Sequence, residues 1–206
     1  MYPKSGSAWR YPASLFAVYG VVWLALAIEP LYRQDWLLEN AIVFAAMPLL
    51  VFTARRLRFS NFAYTCLFVF FIFHAVGAHY TYSLVPYADW WQWLGGDAPD
   101  GRNQYDRFVH FLYGLLVAPA AVELFAHYGR YGRPWNFLFP WMFMAGHATV
   151  YELIEYAAAL VFGGDLGQAY LGTQGDIWDA QKDSAMAMIG AMLGLAAYRF
   201  VESRRR

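Results

Sequence analysis

Carboxylates and a histidine recur at helical spacing in the second half of this chain of 206 residues. Asp106 and His110 are four residues apart, and so are Asp179 and Asp183. Residues at this spacing lie on one face of a helix. A carboxylate beside an imidazole can bind a metal ion or fix a histidine tautomer for acid–base chemistry. We therefore predict metal ligands at these four positions. The alternative for the first pair is a carboxylate stabilised by the helix dipole beside a packed histidine.

Glu152 and Glu155 are the candidates for a general base. They are three residues apart, which places them about 60° apart around a helix. A carboxylate at membrane depth costs about 2.5–3.5 kcal/mol on insertion scales, so such a residue usually faces a cavity or a partner. We expect one of these glutamates to be catalytic. The alternative is that both pair with an arginine such as Arg107.

Two histidines, His74 and His79, lie in one apolar stretch and are added as candidate metal ligands. Their separation of five residues corresponds to about 140° around a helix, so one face cannot present both. A packing role inside the bundle is the alternative for each. A further pair, Glu123 and His127, lies toward the other end of its helix, and we interpret it as a structural tie.

The candidate ligands are oxygen and imidazole groups without thiolate. Such a set favours zinc, manganese, magnesium or calcium. The single cysteine, Cys66, has no partner in the chain, which excludes a disulfide scaffold. The sequence contains no HExxH, GxSxG, P-loop or GxGxxG motif, so the common protease, hydrolase and nucleotide-binding signatures are missing.

The composition indicates that the elements which position these residues lie in a membrane. The chain is 60% hydrophobic and 15% charged, whereas soluble domains have roughly 45–50% apolar and 25% charged residues. Basic and acidic residues number 15 each. Without a basic excess to face phosphate, we expect no nucleic-acid partner. The chain is interpreted as one integral membrane domain over residues 1–206.

Six apolar stretches predict membrane-spanning helices, since a span needs about 20 mostly apolar residues. They cover approximately residues 11–28, 37–53, 59–88, 105–126, 135–162 and 180–200. The predicted fold is therefore an all-α, polytopic bundle of about six transmembrane helices. Gly190 and Gly194 form a GxxxG motif in the last stretch, and we expect it to pack helices closely within the chain.

The distribution of charge predicts the orientation. Eleven of the 15 basic residues fall in the two termini and in the loops after the second and fourth stretches, and eleven of the 15 acidic residues fall on the other side. The positive-inside rule then places both termini in the cytoplasm. The candidate site is correspondingly expected on the outer, periplasmic side.

Three segments resemble the YjdF-type inner-membrane protein family, which is a domain of unknown function. They are Tyr32–Asn40, Asn103–Phe111 and Gly172–Asp183. The resemblance covers residues 27–197 approximately and implies a multi-pass protein of the bacterial inner membrane. It supplies no established activity.

The chain also has a weaker similarity to VanZ-like membrane proteins. Those proteins place an Asp-x-x-x-His at one helix start and acidic residues before a small, Gly-rich final helix. The matching pairs here are Asp106 with His110 and Asp179 with Asp183.

The sequence is compatible with three functional hypotheses. The first is a metal-assisted hydrolase or transferase acting on a lipid or lipid-linked substrate at the outer leaflet. The second is a small transporter or a protein that binds a cation or an amphiphile, which requires a polar path past Glu123 and His127. The third is a structural membrane protein whose polar residues form a closed hydrogen-bonded plug. In all three, the lipid bilayer surrounds the chain.

Overall fold

The computed structural model describes residues 9–96, 101–132, 134–164 and 171–204, and all regular structure within these ranges is helical. The helices are α1 (Arg10–Ala27), α2 (Arg33–Glu39), α3 (Ala41–Thr53), α4 (Asn61–His79), α5 (Tyr87–Trp93), α6 (Tyr105–Tyr128), α7 (Trp135–Phe162) and α8 (Asp179–Arg204).

The predicted all-α, multi-pass architecture is confirmed. Within the described ranges, α1, the α2–α3 segment, α4, α6 and α8 are each long and apolar enough to cross a membrane. The remaining long helix, α7, has 28 residues, but Glu152 and Glu155 lower its hydropathy. That α7 crosses the bilayer as a sixth span remains a prediction.

The third predicted span is shorter than expected. The apolar stretch continues to residue 88, whereas α4 ends at His79. Thr81 and Tyr82 have φ angles of 50° and 49°. This left-handed conformation is incompatible with a continuing right-handed helix. Apolar composition therefore overestimates the length of the helix where a buried turn follows it.

Helices α6 and α8 pack backbone against backbone through glycines. A Cβ atom added at Gly190 would lie 2.2 Å from the carbonyl oxygen of Phe111, and one at Gly194 would lie 2.5 Å from that of Leu115. Gly194 follows Gly190 along α8 as Leu115 follows Phe111 along α6, so the two helices are parallel. The expected packing role of the GxxxG motif within the chain is confirmed.

The two ends of the bundle differ in charge. The end at which α6 and α8 begin is called the acidic end, and the opposite end is called the basic end. The acidic end carries Asp35, Glu39, Asp106, Asp176, Asp179 and Asp183, and the basic end carries Arg55, Arg56, Arg58, Arg130 and Arg199. Several acidic and basic residues counted in the sequence, namely Lys4, Asp97, Asp100, Arg133, Asp165, Arg205 and Arg206, lie outside the described residues.

Glu123 ties three helices together at the basic end. Its carboxylate accepts hydrogen bonds from the Ser60 backbone N–H and hydroxyl, each at 2.6 Å, and from the Tyr198 hydroxyl at 3.1 Å. These contacts join α6 to α8 and to Ser60, the residue that caps the start of α4. The structural role expected of Glu123 is therefore observed, whereas the ring of His127 packs against Tyr128.

Candidate functional site at the acidic end

Three aspartates meet where α6 and α8 begin. One carboxylate oxygen from each of Asp106, Asp179 and Asp183 lies within 4.8 Å of the other two. Asp179 is 4% exposed and Asp183 is 2% exposed. Oxygen ligands lie about 2.0–2.6 Å from magnesium or calcium, so two ligands of one ion are separated by at most about twice that distance. The three-aspartate cluster therefore has the dimensions of a small cation site.

His110 borders this cluster and connects it to α7. Its Nε2 atom lies 3.6 Å from Asp106 Oδ1 and 3.4 Å from Glu152 Oε1. The imidazole ring also makes an edge-to-face contact with Tyr151. His110 on α6 thus lies between Asp106 of the three-aspartate cluster and Glu152 of α7.

Two arginines compensate part of the negative charge. Arg102 Nη2 lies 2.6 Å from Asp179 Oδ1, and Arg107 Nη2 lies 3.1 Å from the same oxygen. The Nε atom of Arg107 is 3.7 Å from Asp183 Oδ1. Arg107 therefore pairs with aspartates of α8 and not with the glutamates of α7. The sequence does not predict that Arg102 pairs with Asp179, because an arginine in a loop belongs to no helical spacing pattern.

Asp176 anchors Arg107 from the segment just before α8. Its Oδ2 lies 2.6 Å from Lys182 Nζ and 2.5 Å from Arg107 Nη2, and its Oδ1 accepts a hydrogen bond from the Trp178 backbone N–H at 3.0 Å. These contacts, with Lys182 the largest contributor, hold the pKa of Asp176 well below its usual range. Asp176 is consequently ionised at any physiological pH and keeps Arg107 in place.

The same segment is fixed to the start of α6. The Gln174 side chain accepts a hydrogen bond from the Asn103 backbone N–H at 2.8 Å and donates one to the Asn103 carbonyl at 3.1 Å. Arg102 donates a hydrogen bond to the Thr173 carbonyl. This clamp explains why segments 103–111 and 172–183 form one site although about 70 residues separate them in the chain.

Two buried carboxylate oxygens in this region lack a hydrogen-bond partner among the described residues. They are Asp183 Oδ1 and Glu152 Oε1. A buried acceptor left without a donor costs about 1–3 kcal/mol. Both atoms are therefore available to accept from a cation, a water molecule or a polar group of a ligand.

Two openings adjoin the cluster. The first, called the histidine cavity, has a volume of about 50 Å³ and is lined by His74, Asp106, His110 and His147 together with tyrosines and apolar residues. Since one water molecule needs about 10–15 Å³ on this measure, the cavity has room for a few waters. His74, His110 and Asp106 therefore face one shared space.

The second opening, called the α7–α8 groove, has a volume of about 560 Å³. Glu152, Thr173 and Asp179 line its polar part. The remaining wall comprises the apolar or aromatic residues Leu153, Tyr156, Leu171, Ala180, Ala185 and Met188 and the polar residues Thr149, Gln181 and Ser184. The groove therefore has acidic side chains in one part and mainly apolar side chains in the rest.

His74 is held by two neighbours in the wall of the histidine cavity. Its Nε2 atom is 3.2 Å from the Glu39 carbonyl oxygen, and its Nδ1 atom is 2.5 Å from the Tyr82 hydroxyl. Burial raises the pKa of the Tyr82 hydroxyl well above its usual value. Tyr82 therefore keeps its proton and donates a hydrogen bond to Nδ1, and Nε2 of the same ring donates one to the Glu39 carbonyl.

The other predicted residues lie at different distances from the cluster. Glu155 is buried one turn after Glu152 on α7. His79 instead ties α4 to α1, since its Nδ1 atom is 2.8 Å from the Leu26 carbonyl oxygen. Sequence reasoning missed Glu39, which is buried at the end of α2 and accepts a hydrogen bond from the Tyr151 hydroxyl at 3.2 Å.

Comparisons with known proteins agree with this architecture. The model of a family described as "Predicted membrane protein (DUF2238)" matches residues 11–204. The Inner membrane protein YjdF of Escherichia coli (strain K12) is 39% identical over 163 residues, which cover 78% of this chain and 75% of that protein. No solved structure matches the chain.

Proposed function

This chain belongs to the DUF2238 family of multi-pass inner-membrane proteins, and we propose that its acidic end is a metal-assisted hydrolase or transferase site for a lipid-like substrate. The observation that carries the proposal is the convergence of three aspartates beside the α7–α8 groove. The proposal includes both termini in the cytoplasm and the acidic end on the periplasmic side, as the positive-inside rule predicts.

The balance of charge supports a cation at the three-aspartate cluster. Arg102 and Arg107 are the guanidinium groups that contact the cluster. Five carboxylates lie in the same region, namely Asp106, Glu152, Glu155, Asp179 and Asp183, while Asp176 pairs with both Arg107 and Lys182. A buried charge without a counter-charge is costly, so protons or a cation must balance the excess.

The ligand chemistry indicates which ion is favoured. The cluster offers carboxylate oxygens, and the His110 imidazole next to them offers a nitrogen that could bind a metal ion. Oxygen-rich sites suit magnesium, manganese and calcium better than zinc, which prefers nitrogen and sulfur ligands. Asp106, Asp179 and Asp183 would hold the ion, and His110 would act as a further ligand or orient Asp106.

The α7–α8 groove supports a substrate with a polar head and an apolar tail. Its polar part at Glu152 and Asp179 is adjacent to the three-aspartate cluster, while Leu153, Tyr156 and Met188 provide apolar surface. Leu153 is also exposed on the outside of the bundle. A lipid-like molecule can therefore enter sideways from the bilayer and present its head group to the cluster.

Glu152 is the better placed of the two candidate bases, because it lines the groove whereas Glu155 is more deeply buried. In hydrolysis, Glu152 accepts a proton from water while the water oxygen bonds to the electrophilic atom of an ester. The bond to the leaving oxygen then breaks, and that oxygen takes the proton. In transfer, an alcohol replaces the water. A divalent cation would acidify the water and polarise the ester.

The test is product formation by the purified full chain. The protein is reconstituted in liposomes of bacterial lipid extract with Mg²⁺ or Mn²⁺, and new lipids and released head groups are identified by mass spectrometry. Glu152→Gln should lower product formation by roughly 10²–10⁴-fold, the contribution of a general base. Glu29→Gln, at an exposed position just after α1, is the matched control and should retain activity.

Two results would contradict the enzymatic proposal. One is the absence of any product from the unmodified chain with each cation. The other is equal product formation by the Glu152→Gln and Glu29→Gln variants. Cation binding is measured separately, so a failure of catalysis is distinguishable from a failure of the metal site.

A further inference from the structure

A second large cavity lies at the basic end, about the length of a helix away from the three-aspartate cluster. It has a volume of about 540 Å³ and lies between the last turns of α6 and α8 and the start of α7. Arg130, Asn136, Arg199 and Ser203 line its polar part. Its apolar part is formed by Val122, Phe125 and Ala126, all within the C-terminal half of α6.

The described lining of this basic-end cavity is cationic. Arg130 and Arg199 contribute two guanidinium groups, and Glu202 contributes one carboxylate. Neither arginine lies within ion-pair distance of a carboxylate among the described residues. The guanidinium of Arg199 packs over the Phe137 ring at 5.6 Å from the centroid. This contact holds the charge at the cavity and leaves its donors for an anion.

Aromatic side chains locate this cavity at the membrane surface. Tyr128 and Trp135 flank it in the sequence, and they are 71% and 50% exposed. Tyrosine and tryptophan gather at the level of the lipid head groups. The polar rim therefore lies at head-group depth, and the wall formed by Val122 and Phe125 extends toward the hydrocarbon.

We propose that the basic-end cavity binds the head group and the upper acyl chain of an anionic phospholipid, such as phosphatidylglycerol. The two arginines and Asn136 provide donors for the phosphate, and the apolar wall of α6 receives the chain. Basic pockets between transmembrane helices at the cytoplasmic surface are suited to such lipids. A soluble phosphate would use the arginines and leave the apolar wall exposed. This inference rests on the orientation proposed above and not on the catalytic activity proposed for the acidic end.

The experiment is native mass spectrometry of the full chain in detergent, titrated with phosphatidylglycerol or phosphatidylcholine of identical acyl chains. We expect the unmodified protein to retain phosphatidylglycerol preferentially. We expect each arginine that contacts the phosphate to contribute roughly fivefold in affinity, the value typical of a basic residue beside anionic lipid. The double variant Arg130→Gln with Arg199→Gln should therefore weaken phosphatidylglycerol binding by about 25-fold. The charge-retaining Arg199→Lys variant should keep most of the binding.

A matched double variant controls for the loss of charge alone. Arg55→Gln with Arg56→Gln removes two charges from the same end but outside the cavity, and it should bind phosphatidylglycerol nearly as well as the unmodified chain. Ala126→Trp fills the apolar wall without changing charge and should also reduce binding. Each variant is used only if its unfolding temperature is retained.

Three outcomes would overturn the inference. The first is equal retention of phosphatidylglycerol and phosphatidylcholine by the unmodified chain. The second is equal loss of binding in the cavity and control double variants, since surface charge would then account for the effect. The third is competition by glycerol phosphate as strong as that by the intact lipid, because the apolar wall would then contribute nothing.

Discussion

Asp183 shows how the site depends on individual side chains. It is 2% exposed, one of its oxygens lacks a hydrogen-bond partner in the described part of the chain, and the Arg107 Nε atom is 3.7 Å away. The sequence predicts Asp106, Asp179 and Asp183 as metal ligands, and the structure brings one carboxylate oxygen of each within 4.8 Å of the other two. That they bind an ion together stays a prediction. The arginines are the part that spacing does not reveal, since their distances depend on the loop clamped to α6.

The charge of Arg107 gives a prediction at the level of the residue. Arg107→Gln removes the cation next to Asp179 and Asp183, so their mutual repulsion should lower the unfolding temperature in EDTA. Added Mg²⁺ or Mn²⁺ should then raise that temperature by more than in the unmodified chain, because the ion replaces the lost charge. Differential scanning fluorimetry of the detergent-purified protein measures both values.

Arg33→Gln is the control for this prediction. Arg33 also lies at the acidic end, but its guanidinium bonds to the Ala27 carbonyl and packs over the Trp36 ring. The cation-dependent shift of this variant should equal that of the unmodified chain. If Arg107→Gln gave the same shift as Arg33→Gln, the proposed competition between arginine and cation would be wrong.

The packing of α6 against α8 determines which of their residues meet at the site. The aspartates of α6 and α8 face each other because glycines allow the two backbones to touch a few turns further along the helices. A GxxxG motif in the sequence predicts close packing but does not identify the partner helix. Likewise, hydropathy predicts α4 but not its end, because the left-handed Thr81 and Tyr82 belong to an apolar stretch.

Gly190 provides a test of this packing. In the Gly190→Ala variant, the new Cβ atom would lie 2.2 Å from the Phe111 carbonyl oxygen. This oxygen belongs to the backbone, which cannot move aside as a flexible side chain can. Overpacking of this kind costs about 1–3 kcal/mol. We expect a lower unfolding temperature together with weaker cation binding, because α8 must shift away from α6.

Gly146→Ala is the matched control in α7, where a Cβ atom would meet nothing within 4 Å. Alanine is favoured over glycine inside a helix by roughly 0.5–1 kcal/mol. This variant should therefore be at least as stable as the unmodified chain and should bind cation equally well. Equal loss of cation binding in both glycine variants would contradict the packing account.

Glu123 tests whether the two ends of the bundle are independent. Glu123→Ala leaves the Ser60 backbone N–H without its acceptor, which should cost about 1–3 kcal/mol. Cation affinity should not change, since this residue lies at the basic end. Chemical or thermal unfolding combined with a metal titration measures the two effects, and a parallel loss of cation binding would show that the ends are coupled.

At the scale of the whole molecule, the net charge of zero conceals a division between an acidic and a basic end. The described structure places Asp35, Glu39, Asp106, Asp179 and Asp183 at one end, and Arg55, Arg56, Arg58, Arg130 and Arg199 at the other. Composition predicts the membrane and the charge distribution predicts the orientation. The sequence does not reveal the volumes of the cavities, because these depend on how the helices cross.

The predicted orientation can be tested by cysteine labelling. Cys66 is buried in α4, so a Cys66→Ala background removes the native thiol. Asp89→Cys and Arg56→Cys then place single, exposed reporters at the acidic and basic ends. A membrane-impermeant maleimide should label the first variant in intact cells and the second only after permeabilisation. The reverse pattern would invert the topology and move the acidic end to the cytoplasm.

The central claim is that the three-aspartate cluster binds one divalent cation, and a Mn²⁺ titration followed by electron paramagnetic resonance tests it most directly. We predict one Mn²⁺ per chain, displaced by Mg²⁺. Asp106→Asn and Asp183→Asn should each lower the affinity by at least about tenfold, the loss that even outer-shell partners produce. The exposed Asp89→Asn control should bind normally. No Mn²⁺ bound to the unmodified chain, or equal binding by all these variants, would contradict the claim.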